Sequence, residues 1–136
     1  MNWIEEGSQF ADSVQFQGAD SAFMHAMSSG TLSPTQSQKK MCTYIKEKMG
    51  NFTKYAGQGR YEDAFHELGM ALHPIMDSTS PAHRGFQKWQ FRNALDHGSN
   101  KPSFPSMEDV DTAKRYRDET VELMQQAMHS NSCGCE

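Results

Sequence analysis

Cysteine is scarce: Cys42, Cys133 and Cys135 are the only three in 136 residues. So few, unevenly spaced, make no disulfide framework. The closing "SNSCGCE" reads as a frayed end with two free thiols, and residues 130–136 are taken as a flexible tail. Long apolar runs are missing as well. No stretch approaches the roughly 20 residues that a membrane-spanning helix needs. Met1–Phe10 contains Glu5, Glu6 and Gly7, so the chain opens without the apolar core of a signal peptide. Basic excess is absent: net charge is −4 and pI about 5.8. That argues against a lysine-and-arginine stripe for gripping a duplex. A nucleic-acid substrate stays open, because bound cations add local positive charge. Strand-like alternation and βαβ patterning are also missing.

What is present is enough for a core. Mean hydropathy is low at −0.78, yet eight Phe, four Tyr, two Trp and ten Met supply bulk. A chain of this length buries roughly two-thirds of its unfolded surface without a staple. The expectation is one all-α domain over residues 1–136, a bundle of about five helices with a metal site between them.

The segment 8–29 carries Phe10, Val14, Phe16, Phe23, Met24 and Met27, with helical spacing over 19–29. Ser33-Pro34 looks like an N-cap followed by proline at the first helical position. A helix over 34–56 follows, with Met41, Tyr44, Ile45, Met49 and Phe52 on one stripe. "GQGR" ends it, and Tyr61 to Asp77 is the next helix. Pro74 inside that helix removes one backbone hydrogen bond and predicts a kink near His73. Residues 86–96, with Phe86, Trp89, Phe91 and Leu95, read as a short helix. Ser106 with Asp109 makes a capping box for a last helix to about 129.

The chemistry gathers in "ALHPIMDSTSPAHRGFQKW", residues 71–89. His73 and Asp77 are four apart, which stacks both on one helix face. An imidazole and a carboxylate so placed suit zinc, which accepts nitrogen and oxygen donors. "STSP" then turns the chain and brings in His83. His97 lies fourteen residues further, and His25 sits on an earlier helix between Phe23 and Met27. A single helical histidine is ordinarily structural, and His66 and His129 are read that way. The whole string with its apolar lead-in "ELGMAL" is far less ordinary.

"HPIMDSTSPAH" resembles the His-x3-Asp-x5-His signature of the bacterial zinc-dependent phospholipases C and the related single-strand-specific nucleases. The step from His83 to His97, the interval from His25 to His73, and Asp12 ahead of His25 fit the same pattern, so the resemblance spans residues 12–97. It implies an all-helical hydrolase that cleaves phosphodiesters with zinc. His25, His73 and Asp77 would hold one metal, with Asp12 beside it as ligand or general base and Asp20 as the rival for that role. His83 and His97 would hold another. Position 101 is Lys where the family carries a carboxylate, with Asp96 or Glu67 as substitutes. Trp3 is not the first residue and reads as a packing residue, so one or two zinc ions are expected rather than three.

The chain also looks like the C-terminal toxin tips of bacterial Rhs and related polymorphic toxins, through "FQGADSAFMHAM" and "LGMALHPIMDSTSPAHRGFQKW". That resemblance implies an antibacterial effector, secreted or delivered into a target cell as part of a larger Rhs-type polypeptide, with a cognate immunity protein. The expected substrate is a phospholipid phosphodiester. The alternatives are a DNA or RNA phosphodiester and a helical binding module with a structural zinc. Arg84 is the candidate for gripping a phosphate oxygen. Trp89 and Phe86 are read as core packing.

Overall fold

The computed structural model describes residues 2–79, 83, 85, 86 and 88, and the helix 110–130, the last with side chains at 118, 119 and 121–129. Among these the architecture is helical throughout, as expected, with no strand and one isolated parallel bridge between Ser28 and Lys88. The order is α1 (Trp3–Ala11), a 3-10 turn (Val14–Phe16), a 3-10 helix (Ala19–His25), α2 (Pro34–Gly57), α3 (Tyr61–Thr79) and α4 (Val110–Ser130).

α1 starts because the Asn2 side chain accepts from the Glu5 amide, and Glu5 and Glu6 place negative charge where the helix dipole favours it. α2 begins with the expected cap, completed by a partner the sequence reading did not name. Ser33 accepts from the Gln36 amide at 3.2 Å, and the Gln36 side chain answers to the Ser33 amide at 2.9 Å. That reciprocal pair, with Pro34 at the first position, fixes the start of a 24-residue helix. α3 runs on through Pro74 to Thr79. Proline lacks the amide that would bond the Met70 carbonyl, yet Pro74 is fully buried and the surrounding packing holds the helix together.

The core lies between α2 and α3, with α4 against it. Met41, Ile45 and Met49 of α2 meet Leu68, Ala71, Leu72 and Ile75 of α3, and Ala127 of α4 joins them. Each large side chain fully buried here contributes roughly 1.5–3 kcal/mol of transfer free energy. Glu67 of α3 ties the two helices at their edge, accepting from Asn51 (2.8 Å) and pairing with Lys48 (3.1 Å). Cys42, at the rim of this core, is disulfide-bonded, a link the sequence reading did not anticipate. Cys133 and Cys135 lie outside the described residues.

α1 packs on α3 at unusually short range, and glycine is the reason. A Cβ on Gly7 would sit inside the His66 backbone carbonyl, and one on Gly69 inside the Ile4 carbonyl and 2.9 Å from the Ser8 nitrogen. Only hydrogen fits at both positions, so each helix backbone seats against the other. A second cluster, Ala11, Met24 and Met70 with Phe16, Phe23 and Tyr44, fills the space beneath.

Two expectations change. The predicted helical segment 19–29 is a 3-10 helix that stops at His25, because Ala26 turns left-handed (φ 51°). Phe86 has φ 54° after Gly85 at 82°, so it belongs to a turn and does not open a helix. The rest of the predicted helix 86–96 and the Ser106/Asp109 capping box lie outside the described residues.

Candidate metal centre

Three elements converge above the α1–α3 crossing. α3 presents His73 and Asp77 one turn apart. The 3-10 helix ends on His25, which is 3% exposed, and the left-handed Ala26 swings the chain away immediately after it. Asp12 caps the C-terminus of α1, its amide bonded to the Gln9 and Phe10 carbonyls.

The two histidines face each other, and each lies near a carboxylate oxygen of Asp12 and of Asp77. His25 Nδ1 is 3.1 Å from His73 Nε2 and 3.3 Å from Asp77 Oδ2. His73 Nε2 is 3.2 Å from Asp77 Oδ2. Asp12 Oδ1 lies 3.4 Å from His73 Nε2 and 3.8 Å from His25 Nδ1. Zinc bound to nitrogen and oxygen at about 2.0–2.1 Å in a tetrahedron sets ligand-to-ligand edges of about 3.3–3.4 Å. The five separations bracket that value. Asp12, His25 and His73 form a group able to hold a metal ion, and Asp77 adjoins both histidines. The two rings stand nearly perpendicular, at 86°.

Around the four atoms sits a set of supporting contacts. Ser8 Oγ is 3.1 Å from His73 Nδ1, so that ring can donate there and keep Nε2 for the centre. Gln17 Nε2 is 3.4 Å from His25 Nε2 and donates to the Asp12 backbone carbonyl at 3.1 Å. His83 is buried, and its Nδ1–H donates to the His25 carbonyl at 2.6 Å. The sequence reading named neither Ser8 nor Gln17. Serine and glutamine carry no metal signal of their own; only the α1–α3 crossing and the turn after Asp12 bring them into reach.

The charges are mutually adjusted. Burial opposes ionisation of Asp77, but hydrogen bonds from His25 and His73 and the charges of His73 and His83 outweigh it, so the carboxyl is held well below its ordinary range. Burial likewise opposes the imidazolium of His73, yet the hydrogen bond and charge of Asp77, with Asp12 behind, leave its pKa raised. Asp77 is 22% exposed and Asp12 is 61% exposed, so Asp12 is the carboxylate on the solvent side.

No known protein family, characterised protein or solved structure matches this chain.

Of the residues singled out in the sequence, Asp12, His25, His73 and Asp77 come together. His83 reaches the cluster through the His25 main chain. Asp20 instead lines a cavity of about 160 Å³ with Phe23, Ser37 and Lys40. Glu67 is engaged by Lys48 and Asn51, which removes it as a substitute ligand. Trp3 stacks on Phe65 at 6.3 Å, the packing role expected of it. His66 packs against Phe10 at 5.4 Å. Arg84, Trp89, Asp96, His97 and Lys101 lie outside the described residues.

Proposed function

We propose that this chain is a zinc-dependent phosphodiester hydrolase, phospholipase C-like, with His25, His73 and Asp77 as metal ligands. The observation that supports it is the convergence of His25 Nδ1, His73 Nε2 and Asp77 Oδ2 at separations of 3.1–3.3 Å, with Asp12 Oδ1 3.4 and 3.8 Å from the two histidines. Two imidazoles and two carboxylates are the donor chemistry zinc takes in hydrolytic sites. Zinc held there supplies Lewis acidity toward water and toward a phosphoryl oxygen.

The protein's own groups divide the remaining work. With metal bound, His73 would donate through Nδ1 to Ser8 Oγ, 3.1 Å away, and turn its Nε2 lone pair to the metal. Burial opposes ionisation of Asp77, but its hydrogen bonds with His25 and His73 hold the carboxyl below its ordinary range, which favours the charged form that a ligand needs. Asp12 makes the longest separations and is the most exposed, so it acts as general base, taking the proton from the attacking water. A site with three protein ligands and an exposed fourth carboxylate favours catalysis over a closed structural zinc. In the wider reading the domain is an antibacterial effector carried at the tip of a larger Rhs-type polypeptide, countered by an immunity protein.

The test uses the whole chain with zinc, assayed on phosphatidylcholine vesicles and, in parallel, on single-stranded DNA and RNA. Release of phosphorylated headgroup is the expected result, and cleavage of nucleic acid alone transfers the proposal to the nuclease reading. His73→Ala and Asp77→Ala should lose zinc and activity together. Asp12→Asn should keep zinc but lose at least a hundredfold in rate, the scale of general-base catalysis. Full activity in Asp12→Asn removes Asp12 from the mechanism.

A further inference from the structure

The cavity that Asp20 lines takes no part in the chemistry above. Its volume is about 160 Å³, and Phe23, Ser37 and Lys40 share its wall. Ser37 is 1% exposed, yet its hydroxyl has no hydrogen-bond partner among the described residues. A buried hydroxyl is rarely left so, because it gives up water and gains nothing in return. Lys40 stands one turn further along the same face of α2. Its Nζ lies 4.5 Å from the centre of the Phe23 ring, a cation–π contact that holds the ammonium at the wall. Asp20, in the first turn of the 3-10 helix, brings a carboxylate to the same space. Among the described residues neither charge is in an ion pair, with the other or with a third group. The rim is already folded: Ser29 Oγ accepts from the Thr31 and Leu32 amides, each at 3.3 Å, and lies 2.8 Å from the Thr31 hydroxyl.

Two opposite charges that share a cavity without meeting suit a molecule that carries both signs. We infer that this cavity is a binding site for a small zwitterion of the α-amino-acid class. The ligand carboxylate takes hydrogen bonds from Lys40 Nζ and from the Ser37 hydroxyl, which gains the partner that the protein does not supply. It lies toward the start of α2, where the helix dipole favours negative charge. The ligand ammonium goes to Asp20. A simple anion would be repelled by Asp20 and a simple cation by Lys40, so either alone binds less well than the two charges joined. Size sets a limit as well. A cavity of about 150 Å³ holds benzene, so this one suits about six heavy atoms, the scale of alanine. None of the four residues touches the metal centre's donor atoms, and the inference is independent of the metal.

The experiment titrates L-alanine into the nitrogen-15-labelled full-length protein and follows the backbone amide shifts. They should saturate, and they should cluster at residues 19–23, 29–32 and 37–40. Acetate and methylammonium each carry one of the two charges and should bind about tenfold or more weaker than L-alanine. L-Tryptophan is too large for the cavity and should not bind. Lys40→Met and Asp20→Asn should each weaken L-alanine by about tenfold or more, with helical circular dichroism unchanged. Asp20→Asn should at the same time bind acetate more tightly, because the repelling charge is gone. Ser37→Ala keeps a good helix former and should weaken L-alanine by about fivefold. Shifts that fail to saturate, or that saturate elsewhere on the molecule, overturn the inference. So does acetate, methylammonium or L-tryptophan binding as tightly as L-alanine, or wild-type affinity for L-alanine in Lys40→Met, Asp20→Asn or Ser37→Ala.

Discussion

Alanine in place of glycine should have opposite effects at two positions on this protein. Gly50 lies inside α2, and a Cβ there would meet nothing within 4 Å. Gly50→Ala should therefore show the plain helix-propensity gain, roughly 1 kcal/mol. Gly7 is also helical, so its substitution carries the same gain. Against that stands the His66 carbonyl, which a Cβ would penetrate. The obstacle is backbone and no rotamer change relieves it, so α1 must lift from α3. Overpacking of this kind costs about 3 kcal/mol or more, leaving Gly7→Ala about 2 kcal/mol less stable than wild type. At roughly 4 °C per kcal/mol for a chain of this size, the variants should move about 4 °C up and about 8 °C down. Differential scanning calorimetry with chelator present measures both. Zinc titration adds a second readout, because Ser8 and Asp12 travel with α1: Gly7→Ala should bind zinc more weakly and Gly50→Ala should bind as wild type. If both variants shift in the same direction, the close glycine crossing does not exist.

Other perturbations follow from the same contacts. Ser8→Ala removes the partner of His73 Nδ1 and should weaken zinc binding by about 10–100-fold, with little change in helical circular dichroism; unchanged affinity would detach Ser8 from the site. The stability of the metal-free protein should fall on both sides of a weakly acidic window. Asp77 has a lowered pKa, so its contribution is present above its ordinary value of 3.8 and is lost as pH falls below it. His73 has a raised pKa, so its contribution is complete below its ordinary value of 6.5 and fades as pH climbs past it. With zinc bound the alkaline limb should reverse, since protons compete with metal for the same atoms. Melting curves from pH 2 to 8.5 with chelator and with zinc check this, and parallel slopes would refute it. Reduction of the Cys42 disulfide should cost about 2–4 kcal/mol, read as a lower melting temperature in dithiothreitol; no shift would mean the link adds no constraint.

Much of this was legible in the residues themselves. Helical spacing alone put His73 and Asp77 on one face, and the Ser33-Pro34 start of α2 announced itself by its chemistry. α1 was harder. Gly7 depresses local helix propensity, so residues 3–11 do not advertise a helix, and the reason for the glycine lies on another helix. Propensity and packing disagree at that point, and packing wins. The 3-10 helix before His25 kept its apolar spacing but not its length, because the left-handed Ala26 ends it, and nothing in an alanine forecasts a positive φ. Ser8 and Gln17 were invisible for a different cause: a hydrogen bond partner is defined by what stands opposite, and the sequence does not say who stands opposite.

The span of chain that the site closes has a consequence in time. Ser8 and His73 are 65 residues apart, and His25 and His73 are 48 apart. No local piece of the polypeptide contains the ligand set, so the centre is assembled only when α1, the 3-10 helix and α3 have all docked. Loops of that size close at an entropic penalty that metal binding offsets only after the chain has come together. Any metal the centre takes up is therefore acquired only after these three elements have docked.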